Sequence, residues 1–168
     1  MKKVIITISI ALLSLSAMAA DRRVAVLQPA GNVSNDIKEI VRELISSAIV
    51  NAAGYTVLER QLLDDVLKEQ RIQIGGLITD NEILKIGELS GANYVFVTSV
   101  TPLDRNYFIS VKLVDAQTAK IEKQSTDQTQ SGTSDLIGVV QTLASGIVGA
   151  IGSIGRFKFI IVGNRLSL

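Results

Sequence analysis

Few side chains in this sequence could carry out a reaction. It contains no cysteine and no histidine. That excludes thiolate nucleophiles, disulfides, Cys or His metal sites, a lipid-bearing N-terminal cysteine and every Ser-His-Asp arrangement. Asp64 and Asp65 are adjacent carboxylates, but neighbours on a helix diverge by about 100° and do not converge on one proton or metal. With Lys68 and Glu69 they make a solvated face. Gly31 stands after an expected strand and before an expected helix, where phosphates bind. Yet Gln28 to Ser34 holds one glycine and no Gly-Lys-Ser/Thr, so it is a plain turn, neither a P-loop nor a dinucleotide fingerprint. Glu59-Arg60 leaves a strand and enters a helix, where the charges pair locally or fix the turn. Tyr94, Phe96, Tyr107 and Phe108 sit on neighbouring expected strands without interleaved basic residues, and they read as core. Asn32-Val33-Ser34 matches a glycosylation acceptor, a common pattern. The residues give no enzyme signature and ask for no cofactor and no metal.

The compartment is written at the start of the chain. Lys2 and Lys3 precede an apolar run from Val4 to Leu15, and Ala17-Met18-Ala19 supplies a small-x-small cleavage pattern. Residues 1–19 read as a cleaved secretory signal, the alternative being an uncleaved membrane anchor. Cleavage removes two lysines from the 17 basic residues and none of the 16 acidic ones, so the mature chain is nearly neutral. Such a chain has no electrostatic pull towards nucleic acid.

The elements that must position any site follow from periodicity. Arg23 to Leu27 is a β-rich run closed by Pro29 and Gly31. Ser34 can cap a helix in which Ile37, Ile40, Val41, Leu44, Ile45, Ala48, Ile49 and Ala52 form one face. Lys38, Glu39, Arg42, Glu43 and Ser46 take the other, and Gly54 is the stop. Tyr55 to Glu59 is a short strand, and Leu62, Leu63, Val66 and Leu67 form a second helical stripe to about Gln70. Thr79-Asp80-Asn81-Glu82 is a capping box opening a third helix that ends near Ser90. Tyr94 to Val97 is continuously apolar, as in a strand covered on both faces. Pro102 to Asn106 marks a turn. Tyr107, Ile109, Val111 and Leu113 alternate with a more polar Phe108, Ser110, Lys112 and Val114. Lys120 to Asp127 carries charges that suit a protected edge strand. The order β-α-β-α-α-β-β-β-α predicts an α+β fold, an α/β-like sandwich with helices packed on a mixed sheet, over residues 20–134 and a closing helix.

That closing helix, residues 135–155, has two readings. Leu136 to Gly155 is free of charge and long enough to span a membrane. Its stripe Leu136, Val140, Leu143, Ile147, Ile151 and Ile154 could equally close the open face of the sheet, and the packed helix is preferred because a domain of this order needs one. The tail, residues 156–168, contains the apolar, strand-like Phe157 to Val162. Val139 and Val148 on the helix, with Phe157, Phe159 and Ile161 in the tail, are the candidate partner-binding residues.

Several blocks resemble the curli assembly/transport (CsgG) family. They are Val24 to Leu27, Gly54 to Arg60, Val66 to Gln70, Gly91 to Thr98 and Lys112 to Thr118, in matching order over about Arg23 to Asp127. The same domain is similar to the penicillin-binding-protein activator lipoproteins (LpoB). The resemblance implies a periplasmic protein that works by contact with other envelope proteins or with its own copies, and it brings no catalytic residues. Two departures stand out: the chain has no room for inserted pore-forming hairpins, and it lacks an acylated cysteine with a polar linker. The expected function is therefore a non-enzymatic envelope accessory protein of assembly, secretion or peptidoglycan-synthase activation. The alternatives are a membrane-anchored subunit held by residues 136–155, or a small-ligand carrier or hydrolase using carboxylates near Glu59 and Asp115.

Overall fold

The computed structural model describes residues 22–52, 54–72 and 78–152. Its elements are β1 (Arg22–Val26), α1 (Asn35–Val50), β2 (Tyr55–Val57), α2 (Arg60–Glu69), α3 (Asp80–Ser90), β3 (Tyr94–Leu103), β4 (Asn106–Asp115), β5 (Ile121–Gln128) and α4 (Leu136–Gly152), with a 3₁₀ turn at Gly132–Ser134. The strands form one sheet in the order β2-β1-β3-β4-β5. β1 runs parallel to β2 and β3, whereas β3, β4 and β5 form an antiparallel meander. This is the expected α+β architecture with a mixed sheet.

Strand alternation divides the core into two layers. On one face Val24, Val26, Phe96, Val100, Ile109, Val111 and Leu113 meet Val41, Ile45 and Ile49 of α1, and Leu136, Val140, Leu143 and Ile147 of α4. On the other, Ala25, Leu27, Val95 and Val114 meet Leu63 of α2 and Ile83 and Ile86 of α3. Val95 and Phe96 thus serve opposite layers, which explains the unbroken apolar run at the start of β3. Thr98 falls on the α1/α4 face, where its hydroxyl is buried with no hydrogen-bond partner among the described residues. Residues 1–19 and 153–168, with the signal and tail expectations placed on them, lie outside the described residues.

Two local expectations change. β3 does not stop before Pro102 but continues to Leu103, with Pro102 opposite Tyr107. Past Val100, whose N–H still donates to Ala30, this strand has no strand neighbour on its β1 side among the described residues, so a proline can turn its bare nitrogen outwards without losing a ladder bond. Arg42, placed by periodicity on the solvated face of α1, is 5% exposed. Burial lowers its pKa, and the neighbouring Arg60 acts in the same direction. The carboxylates of Asp64, Glu39 and Glu43 counter the shift.

The start of α3 follows the sequence closely. The Glu82 carboxylate accepts from the Thr79 backbone N–H at 2.7 Å and from its hydroxyl at 2.8 Å, while Thr79 Oγ1 accepts from the Glu82 N–H. The backbone bond first, and then the hydroxyl, hold the Glu82 pKa below its ordinary value. A carboxyl depressed in the folded state adds stability above its unfolded pKa of about 4.3, and that stability is lost as pH falls through the folded value. Glu82→Gln keeps a cap acceptor but cannot titrate. Its thermal stability should decline less steeply than that of the parent between about pH 5 and pH 3, measured by circular dichroism melts.

Candidate functional site

The two faces of the sheet are not equally covered. α1 and α4 close one face from β1 to β5, leaving Ile109, Val111 and Leu113 fully buried. α2 and α3 cover only part of the other, over β1 and the ends of β3 and β4 that carry Val95 and Val114. Register places Val97 beside Lys112, Ser99 beside Ser110 and Thr101 beside Phe108 on that second face. The next row is Gln124, Thr126 and Gln128 of β5. Thr101, Phe108, Gln124, Thr126 and Gln128 are all exposed. Leu103 lies on the same face, diagonal to Phe108, and the two are 47% and 38% exposed. A meander that offers one covered and one open face is common in antiparallel sheets, but the open face is normally polar. Here two large apolar side chains stand at its hairpin end.

Where this open face meets α3 it dips into a cleft of about 130 Å³. Val97, Val114, Ile83 and Ile121 supply its apolar wall, with Ser110, Lys112 and Asp80 as polar groups. Ala30 reaches the same cleft because the β1–α1 loop lies along β3. The Ala30 N–H donates to the Thr98 carbonyl at 2.9 Å, and the Val100 N–H donates to the Ala30 carbonyl at 2.8 Å. Gly31 follows with φ of +128°, and a Cβ there would stand 2.0 Å from the Val100 oxygen. The expected plain turn is therefore a strand-like strap tied to β3, and its glycine is required by the approach.

The residues singled out for chemistry are occupied structurally. Arg60 donates to both carboxylate oxygens of Glu39, and its Nε lies 3.6 Å from Asp64 Oδ2. Arg42 Nη1 is 4.0 Å from the other Asp64 oxygen. This network ties the start of α2 to α1. The hydrogen bond from Arg60 is the main cause holding the Glu39 pKa down, as that same bond holds the Arg60 pKa up. Burial of Asp115 works to raise its pKa, but bonds from the Thr118 hydroxyl and the Thr118 and Gln117 amides outweigh it and leave the value lowered. That carboxylate shapes the β4–β5 turn. Glu59 makes no cap bond at the start of α2. Among the described residues no group of three or more acidic side chains could hold a metal ion.

Of the candidate partner-binding residues, Val139 is half-buried against the α1/α4 layer and Val148 is 3% exposed within it. Phe157, Phe159 and Ile161 lie outside the described residues. Phe96 is in the core as expected, and Tyr94 and Tyr107 pack against it. Phe108 is a correction: it is exposed, not core. The signal was present in the sequence, since Phe108 shares its alternation with Ser110 and Lys112, the more polar row of β4.

Comparison with known proteins follows the fold. No curated protein matches the chain. Among solved structures it is similar to the LpoB C-terminal domain from Escherichia coli, with a TM-score of 0.55 and 18% identity, covering 70% of this chain and 89% of that one. Lipoprotein GNA1162 from Neisseria meningitidis gives 0.53 and 17%, covering 80% and 99%. TolB from Acinetobacter baumannii gives 0.51 and 13%, covering 79% of this chain and 28% of that one. Identities this low speak for the fold alone. The family model described as the curli production assembly/transport component CsgG matches residues 6–110. That span takes in β1 to β3 and half of β4, with the strap and the capping box, and by it the chain belongs to the CsgG family.

Proposed function

We propose that this chain is a non-enzymatic accessory protein of the cell envelope, exported to the periplasm, that works by binding another envelope protein or copies of itself. Family membership carries this reading. The roles the family resemblance offers are assembly, secretion and activation of a peptidoglycan synthase. Among the described residues no helix is long and apolar enough to cross a membrane. In α4, the segment with two readings, Leu136, Val140, Leu143 and Ile147 pack in one layer with α1 and the sheet.

The contact surface in this proposal is the open face of the β3–β5 meander. Leu103 and Phe108 supply apolar area, and the adjoining cleft is about the size of one apolar side chain. Anchors seated in pockets dominate binding energy at such surfaces. In-cell crosslinking of the envelope fraction should recover species heavier than the monomer. Phe108→Asp should reduce their yield at least tenfold, while its melting temperature stays within about 2 °C, because an exposed substitution perturbs stability little. Recovery of monomer alone from the parent would sink the proposal.

A further inference from the structure

β5 is an edge of the sheet, and the open part of that edge is short. The Thr129 N–H donates to the Tyr107 carbonyl at 2.9 Å, which makes 107 and 129 a hydrogen-bonded pair of the ladder. Alternation from there turns the peptide groups of Asp127, Ser125 and Lys123 towards β4, opposite Ile109, Val111 and Leu113, and those of Thr126 and Gln124 outwards. Both ends of the outward row are blocked. The register shifts between Leu113 and Val114, a bulge that ends the regular edge at Lys123. At the other end the Gln128 N–H already donates to the Asp127 side chain at 2.8 Å. Gln124 and Thr126, with Ser125 between them, are left as open strand edge among the described residues. Lys123 and Asp127 flank them symmetrically, and neither makes an ion pair among the described residues.

We propose that this edge pairs with the same edge of a second copy, antiparallel about a two-fold axis through Ser125. In that register Gln124 faces the other copy's Thr126, and the two exchange both of their N–H···O bonds, as does the reciprocal pair. Lys123 stands directly opposite the other copy's Asp127, at the non-hydrogen-bonded positions where side chains come closest. Sliding the strands by two residues either way brings Gln128 or the bulge into the row and breaks both charge pairs. The lysine that keeps a foreign strand off this edge is thus matched in its own register. α4 packs over β4 and β5 and leaves room beside them, since its flank away from α1 carries Gly146, where an added Cβ would meet nothing within 4 Å. The axis stands perpendicular to the sheet, so both open faces point the same way, with their Phe108 residues about 25 Å apart. In the envelope the pair rests on the face contact proposed above: so short an edge buries less than a standard interface, and a partner spanning both faces holds the copies together. Loss of Phe108 in cells therefore dissolves the pair as well, whereas in purified protein the pair does not depend on Phe108.

Sedimentation of the purified full chain over a concentration series should show a monomer–dimer equilibrium, unchanged by Phe108→Asp. Lys123→Asp and Asp127→Lys should each weaken dimerisation at least tenfold. An equimolar mixture of these two variants should regain the parent's affinity as heterodimers, because every 123–127 pair then joins opposite charges. The chain has no cysteine, so a single introduced thiol can link only two copies. Ser125→Cys, on the axis, should form the disulfide-linked dimer at least tenfold faster than Gln128→Cys, whose two copies stand about 20 Å apart along the strands. Monomer at every concentration, no rescue on mixing, or equal rates for the two thiols would overturn the proposal. If that happens while Phe108-dependent crosslinks persist in cells, the edge pair falls and the face contact stands.

Discussion

Gly31→Ala should lower the stability of the domain by about 3 kcal/mol or more, seen as a fall in melting temperature of about 10 °C. Two costs act together. The backbone at +128° is outside the regions open to residues with a Cβ, which alone costs on the order of 1–3 kcal/mol. The added methyl would also meet the Val100 carbonyl at 2.0 Å, and that oxygen belongs to the central strand and cannot swing aside. The strap must then lift from β3, breaking the two hydrogen bonds through Ala30. Gly138→Ala is the control. It sits in α4 with nothing within 4 Å of a built Cβ, and alanine there should be neutral or stabilising by up to about 1 kcal/mol. Equal melting temperatures for the two variants would show that the strap is not held as described.

Phe96→Ala should cost about 3–5 kcal/mol, the range for emptying a large aromatic site in a packed core. Phe96 is 1% exposed, pairs with Val26 on one side and Leu113 on the other, and lies under α1 and α4. No neighbour can close the space without moving the central strand. Urea unfolding should show a lower midpoint with an unchanged slope, because the surface exposed on unfolding stays the same. Phe96→Leu, which leaves much of the volume filled, should lose less than half as much. A loss below about 1 kcal/mol for the alanine variant would mean that this layer is not close-packed.

Most of the fold was legible because local signals agree with tertiary ones. The stripes of α1 and α2, the capping box at Thr79 and Glu82, and the unbroken run at Val95 and Phe96 each report a burial that the structure realises. Where the reading failed, a non-local neighbour decided. Arg42 carries a charge, and nothing in α1 announces that Asp64 and Arg60 would arrive beside it from α2. Pro102 reads as a breaker unless the missing strand at that end of β3 is known. The open face was half legible: alternation along β4 marks Phe108 as belonging to the polar row, but its aromatic character pulled it into the core. How far α2 and α3 reach across that face depends on the chain path, and no single segment encodes it.

The sheet also sets an order of events. Its meander joins strands that follow one another closely, with Leu103 opposite Asn106 across a tight hairpin, whereas Val24 must find Tyr94. The meander can zip from its own turns, but β1 gains its β2 partner only about thirty positions later and its β3 partner about seventy positions later. During synthesis, the edge of Val24-Ala25-Val26 that faces β3 therefore stays open until Tyr94 to Phe96 have been made. Closing that edge against β3 is the least local pairing in the sheet, the kind whose loop-closure entropy makes it form late.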